Sequence, residues 1–83
     1  MPSILGFDEF RRRLWVELEL PDIKIDRERH LTADLGFDSL QLFEIAILVE
    51  IISGKVIPSD IPIADLTLGE LYHFYATATA NPT

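Results

Sequence analysis

Apolar positions along this chain recur at helical spacing and not in strand-like alternation. Phe7, Phe10, Leu14 and Leu18 fall on one stripe with Trp15 on the same flank, which predicts a helix from about Gly6 to Leu20. Asp8 and Glu9 lie in its first turn, where unsatisfied N–H groups favour negative charge. Pro21 has no N–H to donate and is expected to stop it. Arg13 and Glu17 are spaced for an ion pair. The run Arg11-Arg12-Arg13 reads as a solvated helix face in preference to an anion site. Residues 21–38 form a long connection, and Ile23, Ile25, Leu31 and Leu35 are expected to pin it to the core. His30, among Arg27, Glu28 and Arg29, reads as a surface histidine.

A second helix is predicted from Ser39 to Ser53, closed by Gly54. Its apolar content exceeds what one buried face needs. Leu42, Ile45, Val49 and Ile52 make one stripe; Leu40, Glu44, Ile47 and Ile51 make another, with Phe43 and Glu50 beside it. One stripe packs the core. The other, rimmed by acids, is expected to face outward as a docking surface; burial of both stripes in a small bundle is the plainer alternative. Lys55 to Leu66 is a turn-rich bridge in which Asp60 is placed to cap a short helical turn, with Pro62 in its first turn. Thr67-Leu68-Gly69-Glu70 is a capping box opening a last helix with Leu68, Leu71, Tyr72 and Tyr75 at helical spacing. The tail from about Thr77 to Thr83 is small and polar and is expected to fray.

The stretch Asp34-Leu35-Gly36-Phe37-Asp38-Ser39-Leu40 organises the whole pattern. Gly36 tolerates a positive φ, and Asp38 is a good N-cap with Gln41 at capping-box spacing. Ser39 is thereby delivered to a helix N-terminus, where a phosphate group sits in a favourable field.

Composition narrows the chemistry. The chain has 83 residues, 48% of them hydrophobic, which fits a single globular domain over 1–83 with a modest core. It has no cysteine, so disulfides, cysteine-type zinc sites and thiol catalysis are excluded, and no metal site is expected. The net charge is −7, and it is uneven. Residues 1–30 hold seven acids and six bases, a net of −1; residues 31–83 hold seven acids and one base, Lys55, a net of −6. Such a surface is a poor partner for nucleic acid and suits a basic protein, unless the acidity serves solubility alone. Early charges break any leader-like apolar run, and the stretch Ile45–Ile52 is too short to span a bilayer. A cytoplasmic chain with no membrane partner is the expectation.

The motif from Asp34 to Leu40, with Glu44 five residues past the serine, then Gly54, Ile57-Pro58 and Thr67-x-Gly69-Glu70-Leu71, resembles the phosphopantetheine-dependent carrier proteins, which include acyl, aminoacyl and peptidyl carriers. The resemblance covers nearly the whole chain in order and spacing. It implies an all-α fold, a small four-helix bundle of acyl-carrier type with a long first loop and a short third helix. It implies that Ser39 carries 4′-phosphopantetheine as a phosphodiester, donated by coenzyme A and installed by a phosphopantetheinyl transferase. The thiol of that arm then holds an acyl or aminoacyl group as a thioester for a loading enzyme and downstream biosynthetic enzymes, and the carrier itself catalyses nothing. Asp38 and Leu40 match positions that help the transferase dock. Glu44 and Glu50 match acidic positions that meet basic partner patches, and Ile47 and Leu48 match positions that add apolar contacts. A monomer is expected.

The second helix is less acidic than in carriers of housekeeping fatty acid synthesis, because Gln41, Leu42, Ile51 and Ile52 dilute it. That favours a specialised pathway: polyketide, nonribosomal peptide or amino-acid modification. Phe37 before Asp38-Ser39 differs from the Gly-Gly-His-Ser or Gly-Gly-Asp-Ser of carriers embedded in large synthetases. With Met1 at the start and the end close behind the last helix, a discrete carrier is expected, with an excised domain as the alternative.

Two other readings compete. Gly36-Phe37-Asp38-Ser39-Leu40 is superficially similar to the Gly-Asp-Ser-Leu block of a hydrolase family, but a serine nucleophile needs a positioned base. That family's Asp-x-x-His block is absent, since neither His30 nor His73 has an aspartate three residues before it. The second rival is an acidic helical interaction module that is never modified, in which Ser39 only starts a helix.

Overall fold

The computed structural model describes residues 4–58 and 60–80. Three α-helices and one short 3-10 turn follow in the order α1 (Phe7–Glu17), α2 (Ser39–Ser53), the 3-10 turn (Ile63–Asp65) and α3 (Leu68–Ala80). Among the described residues there is no strand, only an isolated antiparallel bridge between His30 and Thr67. The chain is all-α, as its periodicity predicts. The segment expected to form a short third helix makes a single 3-10 turn. Asp60 does not cap that turn; Pro62 precedes it without a side-chain cap.

α1 begins with Asp8 and Glu9 in its first turn and buries Phe10, Leu14 and Trp15. It ends at Glu17, short of the predicted Leu20. The stop is not Pro21 but a left-handed residue, Glu19 at φ 57°. The N–H of Leu20 bonds Trp15 O at 2.9 Å and that of Glu19 bonds Val16 O at 3.1 Å. This is the paired closure that satisfies the last carbonyls of a helix, here with glutamate where glycine is usual. Arg11 corrects the expectation of a solvated basic face. Its side chain is 1% exposed, its Nη2 donates to Asp22 Oδ1 at 2.7 Å, and its guanidinium lies 5.7 Å from the Trp15 ring centre. Arg12 and Arg13 are exposed. Arg12 approaches Asp8 and Asp22, and the predicted Arg13–Glu17 pair is not formed.

The core joins Phe10, Leu14 and Trp15 of α1 to Ile45 and Val49 of α2 and to Leu68, Leu71 and Tyr75 of α3. Phe10 stacks on Tyr75 at 4.8 Å, and Tyr72 meets Phe7 edge-on at 5.6 Å. The segment before α1 is tied down by two tyrosines: Tyr75 Oη accepts from Leu5 N, and Tyr72 Oη donates to Leu5 O, both at 2.9 Å.

The long connection is ordered by the residues expected to pin it, with one exception. Leu31 is fully buried, and Ile25 and Leu35 pack against the core. Ile23 is 54% exposed and pins nothing. The loop also runs against the start of α3, where Leu68 N bonds Arg29 O at 2.8 Å, Gly69 N bonds Arg27 O at 2.9 Å and Leu31 N bonds Leu66 O at 3.0 Å. Thr67 and Glu70 cap α3 reciprocally, at 2.8 and 3.1 Å. α3 continues through residues 77–80, the first part of the tail predicted to fray, and residues 81–83 lie outside the described residues.

Candidate functional site

The turn that delivers Ser39 is held from both ends. Asp34 Oδ2 accepts the backbone N–H of His30 at 2.7 Å and lies 3.2 Å from His30 Nδ1, so its carboxyl is held below the usual carboxylate range, chiefly by that backbone hydrogen bond. Gly36 N bonds Thr32 O and Phe37 N bonds Leu31 O, each at 3.1 Å. Gly36 has φ 72°, the left-handed conformation that a Cβ disfavours. Phe37 is buried edge-on against Trp15 at 5.6 Å, which anchors the turn to α1.

α2 then starts with a complete capping box. Asp38 Oδ1 accepts from Gln41 N at 2.8 Å, and Asp38 N donates to Gln41 Oε1 at 3.1 Å. Ser39 is the first helical residue and is exposed. Among the described residues its hydroxyl has no hydrogen-bond partner, and the backbone N–H groups of Ser39 and Leu40 have no acceptor. The site is a free primary alcohol beside two unsatisfied donors at the positive end of a 15-residue helix. That arrangement fits a phosphodiester on Ser39 Oγ.

Beyond the serine, α2 is two-sided. Ile45 and Val49 are buried, and Leu42 and Ile52 pack against the core. On the opposite side Leu40, Phe43 and Ile51 are each more than 60% exposed, and Ile47 is 41% exposed. Glu44 is exposed within this strip. Glu17 of α1 joins Glu44, Ile47, Leu48 and Ile51 around one cleft of about 190 Å³. The sequence-predicted docking residues therefore separate. Asp38 is exposed, but its carboxylate is committed to the cap. Leu40, Glu44 and Ile47 share the outward strip, and Leu48 is half-buried against the core. Glu50 is half-buried, and its Oε2 accepts the backbone N–H of Ile57 at 2.7 Å, so it holds the chain leaving α2. Phe43 and Ile51, expected beside and on the outward stripe, are among its most exposed residues. Their three- and four-residue spacing from Leu40 and Ile47 carries that signal in the sequence.

Both histidines line a different cleft, with Arg27, Glu28, Thr67, Gly69 and Glu70, and Ser39 is not in its wall. Among the described residues no group of three or more His, Asp or Glu side chains is placed to hold a metal, and no helix is long and apolar enough to cross a membrane. Compared with protein-family models, with curated proteins and with solved structures, the chain matches none.

Proposed function

We propose that this chain is a carrier protein that bears acyl or aminoacyl intermediates as thioesters on a 4′-phosphopantetheine arm attached to Ser39. The observation that carries the reading is the exposed, unpartnered Ser39 hydroxyl at the capped start of α2, within the motif Asp34–Leu40. The arm supplies a thiol to a chain that has none. The chain contributes the nucleophile. Ser39 Oγ bonds to the phosphorus next to pantetheine, the pyrophosphate P–O bond of coenzyme A breaks, adenosine bisphosphate leaves, and the hydroxyl proton passes to a base of the transferase. The N–H groups of Ser39 and Leu40 and the dipole of α2 then favour the phosphodiester charge. Tethering keeps the cargo at high local concentration at each docked enzyme.

In this reading the 3-10 turn Ile63–Asp65, which packs on α2, stands where the carrier bundle has its short third helix. The strip of Leu40, Phe43, Glu44, Ile47 and Ile51 meets the transferase and the biosynthetic enzymes, in the cytoplasm and in a specialised pathway. The test is intact mass after incubation with coenzyme A and a broad-specificity phosphopantetheinyl transferase. A gain of one phosphopantetheine is expected on the wild type and none on Ser39→Ala, which loses one hydroxyl at an exposed site and keeps the fold. Modification of the alanine variant would place the attachment elsewhere. No gain with several transferases would favour an unmodified interaction module.

A further inference from the structure

The outer face of α1 and the outward strip of α2 form one continuous surface. On α1, Glu9, Arg12, Arg13, Val16 and Glu17 recur at three- and four-residue spacing, and with Leu5 they line a cleft of about 290 Å³. Glu17 also lines the Glu44 cleft with Ile47, Leu48 and Ile51, so the two clefts adjoin at Glu17. Eight large apolar side chains of the described residues are exposed, and five of them lie on this surface: Val16, Leu40, Phe43, Ile47 and Ile51. The exposure is therefore a patch and not a scatter.

The charges on this surface are of both signs. Arg13 and Glu17 are spaced for a pair within α1, yet among the described residues neither makes an ion pair, nor does Glu44. Glu17 stands at the last position of α1, at the negative end of the helix dipole, where a carboxylate is disfavoured. No contact inside the fold accounts for these three charges.

We propose that this surface binds a second copy of the chain, through a two-fold interface in which the two α1 helices cross antiparallel near Val16. That crossing sets Arg13, about one turn before Val16, against the turn after Val16 in the other copy, where Glu17 stands. Each Arg13 then enters the other copy's cleft, with its aliphatic stem on Ile47 and Ile51 and its guanidinium between Glu17 and Glu44. Self-complementarity favours a second copy over another protein. One surface holds both the base and the acids, so a half-turn rotation brings each Arg13 to carboxylates. Burial of Val16, Phe43 and Ile51 supplies the attraction, and the ion pairs fix the register. The net charge of −7 on each copy opposes association, so the dimer forms at high concentration and the monomer expected from the sequence is the dilute form. The dimer does not rest on the carrier reading. Combined with it, the dimer is a resting form whose docking strip is covered.

The test is sedimentation equilibrium of the full chain in about 0.15 M salt, where repulsion beyond about 8 Å is screened. Between about 1 μM and about 1 mM the mean mass is expected to rise from 9.4 kDa towards twice that value. Two variants change exposed positions only and keep the fold: Arg13→Glu, and Glu17→Arg combined with Glu44→Arg. Each alone should lower the association constant by about tenfold or more, because like charges then meet at both contacts. Mixed in equal amounts, the two should associate again, because each then presents opposite charges to the other. A mass of 9.4 kDa at every concentration overturns the proposal and leaves the surface to another protein. A mass rising past twice that value marks an open, head-to-tail contact and overturns the two-fold one. A dimer that both variants keep, or that the mixture does not recover, overturns this interface. Intact mass after the transferase reaction reads the carrier function separately, so either reading can fail without the other.

Discussion

Gly69 sits where the long connection crosses the start of α3, and a single hydrogen atom there is a packing requirement. A Cβ at this position would lie 2.9 Å from Arg27 Cβ and 3.0 Å from Arg27 O, and the second of these is backbone that cannot swing aside. Two effects oppose each other in Gly69→Ala. Alanine in a helix gains about 0.5–1 kcal/mol over glycine. Overpacking a closed contact costs about 1–3 kcal/mol. The clash is the larger, because the same approach carries the Gly69 N–H to Arg27 O bond and the neighbouring Leu68 N–H to Arg29 O bond. A net loss of about 1 kcal/mol is expected, which lowers the melting temperature of a domain this size by roughly 4–8 °C. A melting temperature equal to or above the wild type would show that the connection yields and that helix propensity decides. Gly36 and Gly54 differ in kind: both have open space around the missing Cβ and owe their identity to φ near 72°.

At the scale of the element, α2 separates a side packed in the core from an exposed apolar strip. Ile45 is 1% exposed among core residues of the other two helices, so Ile45→Ala should cost about 2–5 kcal/mol in urea denaturation, with the transferase reaction limited only by the folded fraction. Glu44 is exposed on the other side, so Glu44→Lys should stay within about 0.5 kcal/mol of the wild type in the same measurement. On the carrier reading it instead lowers kcat/KM for arm attachment by a basic-surfaced transferase, by about tenfold at low salt and less at high salt. A kcat/KM unchanged at every salt concentration would remove this face from recognition. The two faces were legible in the sequence because a 3.6-residue period sorts them, and both caps of α2 were legible because Asp38, Gln41 and Gly54 act locally. What was not legible depends on partners remote in sequence. Arg11 reads as solvated until Asp22 and Trp15 are seen around it. Glu50 reads as a free acid until Ile57 N is found on its carboxylate. Ile23 reads as an anchor, yet its side chain ends on the rim of a groove that no local spacing encodes. The end of α1 was misplaced because no propensity rule foresees glutamate in a left-handed closure.

Across the whole molecule, three carboxylates hold the irregular segments to the helices, and each of these holds is weakened in acid. Asp22 ties the start of the long connection to α1, Asp34 holds the turn before Ser39, and Glu70 completes the cap of α3. Each is held below its ordinary value. For Asp22 the main cause is the hydrogen bond from the Arg11 side chain, and for Asp34 and Glu70 it is a backbone N–H, of His30 and Thr67 respectively. The unfolded chain therefore binds protons at these groups before the folded one does. Their contribution is complete above the ordinary values of 3.8 for aspartate and 4.5 for glutamate, and it is lost as pH falls through the lower folded values. The net charge of −7 acts in the opposite sense, since it shrinks as the pH falls and self-repulsion shrinks with it. Melting temperature should accordingly hold or rise slightly from pH 7 to about 5 and fall steeply below about 4. Asp34→Asn isolates one of the three: it should melt below the wild type at pH 7 and converge with it near pH 2, where the wild-type carboxyl is also neutral. A gap that stays constant across that range would assign Asp34 a role of shape and not of charge, in the turn that leads to Ser39.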